Sequence, residues 1–274
     1  MEIKATDVAK LRQMTGAGMM DCKNALLEAN GDFERAKEII REKGKLIAAK
    51  RADRETTEGS VIALANDQHN KAILVCLGCE TDFVAKNEDF IQLAKNIAHT
   101  ALQQLPANLD ALKAISLNGT TIDDALTAQS GKSGEKHAIP FYAKLEAPYI
   151  ATYIHMNNKV ATIVGFNKTI SSEAGKEIAM QITAMNPVSV SKEDCPQSVI
   201  DKELEIYREQ IRQEGKPEQM VDQIARGKLN KFFKESTLEE QIFVRDGKIT
   251  VAQHLKSVDP DVKVTGFFRF SLND

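Results

Sequence analysis

Residues 60–102 read SVIALANDQHNKAILVCLGCETDFVAKNEDFIQLAKNIAHTAL, and two different periods meet inside them. Val61 to Ala65 and Ala72 to Leu77 are apolar runs of strand length, separated by the polar break Asn66-Asp67-Gln68-His69-Asn70, which is the pattern of a hairpin. Phe90, Leu93, Ala94, Ile97, Ala98, Ala101 and Leu102 then recur at helical spacing and make one regular apolar face that stops before Pro106. The same order returns about 90 residues further on. Tyr149 to His155 reads as a strand, Asn157-Asn158 can take the positive φ of a tight turn, and Val160 to Phe166 is the return strand. Ala174, Ile178, Ile182 and Met185 mark a helix that ends before Pro187. Hairpin-then-helix, twice, predicts an α+β protein with two related core subdomains, each an antiparallel sheet plus helices.

Other segments extend this plan. Val8 and Leu11, with Thr6 as an expected N-cap, then Met19, Cys22, Leu26 and Ala29, then Phe33, Ala36, Ile39 and Ile40 are three apolar stripes. They are broken at Thr15-Gly16-Ala17-Gly18 and Asn30-Gly31-Asp32, so a three-helix head is expected. Lys50 to Gly59 is charged and reads as a linker. Val199, Ile200, Leu204, Tyr207 and Ile211 form one narrow seam, and Met220, Val221, Ile224, Leu229 and Phe232 a second, with Gly215-Lys216-Pro217 between them. Two thin seams joined by a turn predict a projecting antiparallel helical hairpin. Val264 to Phe270 is expected to return as a strand to the second sheet. The division expected is a head with linker over 1–55, a first core subdomain over 56–140, a second over 141–190 and 237–274, and the hairpin inserted over 191–236.

Composition narrows the function classes. The 274 residues are 42% hydrophobic and 27% charged, as in ordinary globular proteins. A formal net charge of -3 argues against a protein that grips nucleic acid chiefly by its phosphates, and aromatics at 5% with no Trp supply few stacking platforms. No apolar run has membrane-spanning length and no secretory signal is visible, so a cytoplasmic protein is expected. Cys22, Cys76, Cys79 and Cys195 are scattered, as free thiols of a reducing compartment would be. Cys76-Leu77-Gly78-Cys79 has CxxC spacing, but in an extended strand residues three apart face opposite ways, so core thiols are expected rather than a metal or redox site.

No local motif marks an enzyme. Gly131-Lys132-Ser133 resembles the tail of a phosphate loop but has Leu126 where its first glycine should stand. Gly16-Ala17-Gly18 lacks both a preceding strand and the third glycine of a dinucleotide fingerprint, which is Asp21 here. The five histidines show no ligand spacing. What stands out is Cys79-Glu80-Thr81-Asp82-Phe83-Val84-Ala85-Lys86, between a strand and the strong helix. Either Asp82 caps a helical turn and Phe83 packs inward as a staple, or Phe83 is an exposed anchor with Asp82 beside it. Met19-Met20 carries a similar choice, since two adjacent methionines cannot both face one core.

Thr15-Gly16-Ala17-Gly18-Met19-Met20-Asp21-Cys22-Lys23 and Cys79-Glu80-Thr81-Asp82-Phe83-Val84-Ala85 together resemble the bacterial elongation factor Ts family. Arg226 to Phe233, Gln241-Ile242-Phe243-Val244 and Val264 to Phe270 match it in order and spacing. The resemblance covers essentially the whole chain. It implies a ubiquitin-associated-like head, two related core subdomains and an inserted helical hairpin. It also implies a non-enzymatic role in protein biosynthesis, as guanine-nucleotide exchange factor for elongation factor Tu, engaging its GDP-bound and nucleotide-free forms. On this resemblance Asp82 and Phe83, with Thr81 and Val84, would wedge into the GTPase domain and disturb magnesium and phosphate binding. Met19, Met20 and Lys23 would dock beside the nucleotide site, and His155 and Val244 would add contacts. No cofactor, metal, membrane or direct nucleic acid is implied, and the narrow hairpin seams permit a homodimer without demanding one. The sequence departs from the family after His155, where Met156-Asn157-Asn158-Lys159 replaces a glycine-rich turn, and around Lys132-Ser133-Gly134-Glu135. Competing readings are a ubiquitin-like-fold or peptide-binding adaptor acting through the head, and a metal or thiol enzyme using Cys76 and Cys79.

Overall fold

In the computed structural model, which describes residues 3–274, the chain opens with three helices, α1 (Ala5–Thr15), α2 (Met19–Glu28) and α3 (Phe33–Lys50). Gly16 takes φ 69° to end α1, and the Asp32 carboxylate accepts from the Glu34 and Arg35 amides to start α3. Lys4, not Thr6, occupies the N-cap of α1 and offers no side-chain cap, because the helix begins one residue before the threonine. Val8, Leu11, Cys22, Ala25, Leu26 and Ala36 form the small core of this head.

The first α+β unit follows. It contains β1 (Glu58–Ala65), β2 (Lys71–Cys79), the short α4 (Asp82–Ala85), α5 (Glu88–Gln104), α6 (Leu109–Ala114), the two-residue strands β3 (Ser116–Leu117) and β4 (Thr120–Thr121), α7 (Ile122–Ser133) and β5 (Ala138–Glu146). The second contains β6 (Tyr149–Ile154), a 3-10 turn (Met156–Asn158), β7 (Val160–Phe166), α8 (Ser172–Met185), then α9 (Gln197–Gln213) and α10 (Glu218–Ser236), and finally α11 (Val251–Val258) and β8 (Val264–Ser271). The sheets run β1-β2-β5 and β6-β7-β8, all antiparallel. The repeat is therefore fuller than hairpin-then-helix: in each unit a third strand comes back to pair with the second. Asn157 and Asn158 take φ of 72° and 54°, as the turn between β6 and β7 requires.

Strand alternation sets the layers. Val61, Ala63, Ala72, Leu74 and Cys76 from the first sheet meet Ile150, Ala161 and Ile163 from the second, so the two sheets pack face to face. Phe141 stacks on Phe270 across that seam at 4.7 Å between ring centroids. The opposite faces are covered by helices: Ile73, Val75, Leu77 and Cys79 lie with Phe90, Ala94 and Ile97 of α5, while Val164 and Phe166 lie with Ile178 and Ile182 of α8. Cys76 and Cys79 thus face opposite sides of β2. Burial pushes both thiols up, Cys79 to about 12, which keeps them protonated and unreactive at neutral pH.

The segment that reads as a linker is fastened down instead. Helix α3 runs on to Lys50 and crosses α7 so closely that a methyl group on Gly131 would lie 2.8 Å from the Gly44 Cα. The Lys136 ammonium donates to the Ala52 and Arg54 carbonyls, at 2.6 and 2.9 Å. The helical hairpin is a separate body: Ile211, Val221 and Ala225 are its buried residues, backed by Leu204, Tyr207 and Ile224. At its base Ser189 bridges Thr237, and the Leu238 and Glu239 amides donate to the Ser189 and Val190 carbonyls.

Candidate partner-docking site

The turn between β2 and α5 carries the most exposed large apolar side chain among the described residues, Phe83 at 83%. Thr81, not Asp82, is the N-cap of α4. Its extended backbone precedes the helix and its hydroxyl accepts from the Val84 amide at 3.5 Å. One helical turn then sorts its own side chains. Val84 and Ala85 pack against the α5-side core, while Phe83 points into solvent and is not a staple. Leaving a phenylalanine exposed forgoes roughly 1.5–3 kcal/mol of burial, so folding alone does not select it. Asp82 sits at the first helical position, paired with Lys86 at 2.6 Å. Lys86 hydrogen bonding is the chief reason the Asp82 carboxyl lies below its ordinary range, so it is an anion at neutral pH.

Three polar residues brace this turn from below. Glu135 accepts from the Glu80 amide at 3.2 Å, the Thr81 amide at 3.0 Å and the Thr81 hydroxyl at 2.5 Å. Glu80 in turn accepts from Arg51 at 2.8 and 3.0 Å and from the Lys136 amide at 2.7 Å. The Lys136 amide, then Arg51, hold its carboxyl below the usual range. Sequence reasoning did not single out Arg51, Glu80 or Glu135 for this role. The available signal was Gly134, whose φ of 75° ends α7 and aims the next residue back at the turn.

The remaining predicted residues fall in three places. His155 is exposed where β6 ends, with its Nδ1 3.1 Å from the Tyr153 hydroxyl. The following Asn157-Asn158-Lys159 turn and the Asp82-Lys86 turn both line one open cleft of about 570 Å³, so the structure brings these two segments together. Lys159 reaches Glu58 at 2.7 Å on the wall of that cleft. Met19 and Met20, at the start of α2, are 48% and 64% exposed, and Lys23 is exposed one turn later. Both methionines face outward, where spacing required it of one. Gly16, in the loop that leads into them, lies against Lys132, three residues before Glu135.

Val244 belongs to a separate patch. It and Ile242 are about half exposed while Phe243 between them is buried, stacked on His254 at 3.9 Å. The buried Gln181 of α8 fixes this loop, accepting from the Val244 amide at 2.9 Å and donating to the Ile242 carbonyl at 3.1 Å. No group of three or more His, Cys, Asp or Glu suited to a metal ion occurs among the described residues. No helix among them is long and apolar enough to cross a membrane.

Fold and site together define a doubled sheet-and-helix protein that holds an aromatic ring out on a braced turn, the geometry of a protein-docking module. A family model described as "Elongation factor TS" matches residues 80–274. The chain is 50% identical to "Elongation factor Ts" of Porphyromonas gingivalis over 100% of its length and 99% of the relative's. It is 48% identical to that of Christiangramia forsetii over 99% of each, and 42% identical to that of Cytophaga hutchinsonii, again over 99% of each. The chain belongs to the elongation factor Ts family.

Proposed function

We propose that this protein is a guanine-nucleotide exchange factor, one that promotes GDP release from elongation factor Tu during translation elongation without performing covalent chemistry. The observation that carries the reading is Phe83, exposed on a turn whose next two residues are half-buried and packed against the core. A rigid aromatic projection loses little freedom on binding, so the energy of burying the ring goes into displacing the partner's elements. Asp82, anionic beside it, supplies a polar contact where the ring enters. Insertion between helices of the GTPase domain would shift the groups that hold magnesium and phosphate.

No catalytic group is required. A protein that binds the nucleotide-free partner more tightly than the GDP-bound one weakens GDP binding by the same factor. Thr81 and Val84 would set the turn, Met19, Met20 and Lys23 would engage the partner from the head, and His155 and Val244 would extend the contact along the second unit. In this reading the working parts are the head, the two sheet-and-helix units and the hairpin as an outlying contact; the expected division at 140 falls inside β5, which pairs with β2, so the first unit runs on to Glu146. The test is release of fluorescent GDP from elongation factor Tu. Acceleration that rises with the concentration of this protein is the expected result. Unchanged release at saturating concentration overturns the proposal.

A further inference from the structure

A four-residue helix cannot hold its own shape, because the first helical turn costs more conformational freedom than its hydrogen bonds return. Something outside α4 must fix the direction in which Phe83 points. Glu135 is placed to do so. One of its oxygens takes two consecutive amides, those of Glu80 and Thr81, at 3.2 and 3.0 Å, and the other takes the Thr81 hydroxyl proton at 2.5 Å. Because that proton is committed to the carboxylate, the Thr81 oxygen has its lone pairs free to receive the Val84 amide and cap the turn. Glu135 is held in its own turn, with its amide donating to the Ser133 hydroxyl at 3.1 Å just beyond the left-handed Gly134.

From this geometry we infer that Glu135 is the positioning residue of the exchange wedge: it clamps the Glu80-Thr81 peptide and orients the Thr81 hydroxyl, so that Phe83 stands in its insertion-ready direction before the partner arrives. The inference rests on the proposed exchange function and adds to it a residue that acts through Thr81 and the Glu80-Thr81 peptide. Alanine at 135 removes all three acceptor contacts. Glutamine keeps the volume and can still accept the two amides, but its NH2 group donates where the carboxylate accepted, so the Thr81 hydroxyl loses its fixed orientation. If the ready direction becomes a minority state, exchange at limiting factor concentration falls in proportion to its population.

The experiment is a double-mutant cycle on GDP release from elongation factor Tu, using the full chain and the variants E135A, E135Q, F83A and E135A/F83A. Thermal unfolding and amide hydrogen exchange are followed in parallel. The expected result is a loss of about ten-fold for E135A. E135Q should lose less, and the double variant should be no slower than F83A alone. Amides 84–86 should lose protection in E135A while those of β2 and α5 keep theirs. Should E135A fail to fold, E135Q with E135Q/F83A carries the same cycle. Equal and additive losses on both backgrounds would show a general structural effect and overturn the inference. So would an unchanged rate in E135A beside a slow F83A. If F83A itself releases GDP at the normal rate, the wedge reading fails first and the role of Glu135 falls with it.

Discussion

At Phe83 the cost and the use of a side chain come apart. The ring is 83% exposed, so Phe83→Ala removes almost no buried surface and should leave unfolding temperature and helix content unchanged. The same change should cut elongation factor Tu-dependent GDP release by a factor of roughly 100 or more, the scale of a central aromatic anchor. Fluorescent GDP release beside thermal unfolding checks both halves. Asp82→Ala should cost several-fold less, since the carboxylate flanks the ring and already has Lys86 as a partner. The sign of the pH effect follows from its lowered pKa. The Asp82–Lys86 pair contributes above the ordinary carboxylate range and is lost as pH falls through the depressed value, so exchange should show no step from Asp82 across neutral pH. A pH profile of GDP release on wild type and Asp82→Asn tests this. The motif was legible in the sequence, but the direction of its ring was not. Asp82 at a helix start and Phe83 beside it fit a buried staple as well as an exposed anchor, and what separates the two is a carboxylate from Glu135, some fifty residues away in the chain.

Among the elements, those with a strong period of their own could be read directly and those shaped by partners could not. Helix α5 and the two hairpins carry uninterrupted apolar patterns. Strand β5 does not: Pro140 interrupts it and its burial is irregular, which an edge strand tolerates because one side of its ladder is unpaired. Its place is dictated by β2. Helix α7 was equally opaque, because the glycine that resembles a phosphate-loop remnant is a crossing point with α3. Gly131→Ala would put a methyl group 2.8 Å from the Gly44 Cα, backbone that cannot rotate away. A loss of about 1–3 kcal/mol is expected from such overpacking, measured by denaturant titration, with head amides losing protection first. Gln181→Leu is a test in the other unit. It strips the Val244 amide and the Ile242 carbonyl of their partner. A stability loss of roughly 1–3 kcal/mol and a mobile 241–244 loop in hydrogen exchange are expected, with the Phe83 turn unaffected.

For the molecule as a whole, the head is no free appendage. Helix α3 crosses α7 at Gly44 and Gly131 and holds Arg51 at its end against Glu80 beside the wedge, so removing residues 1–50 would strip α7 of its packing partner and Arg51 of its support as well as delete Met19, Met20 and Lys23. Truncation should therefore weaken the complex and lower the unfolding temperature together. Arg51→Ala, which keeps the head, should reproduce part of the first effect through the Glu80 contact alone; binding to elongation factor Tu by calorimetry separates the two. The doubled architecture was readable because both copies spell the same order of periods, whereas the face-to-face seam between the sheets depends on which parity of each strand turns inward. The base of the helical hairpin leads elsewhere. There the outgoing and returning chains run side by side through Ser189 and Thr237, already stitched by the Leu238 and Glu239 amides. An arm whose two roots touch can swing, melt or be cut away without pulling on the body that carries it. Its length and surface are free to change independently of the sheets, like a tool on a detachable handle.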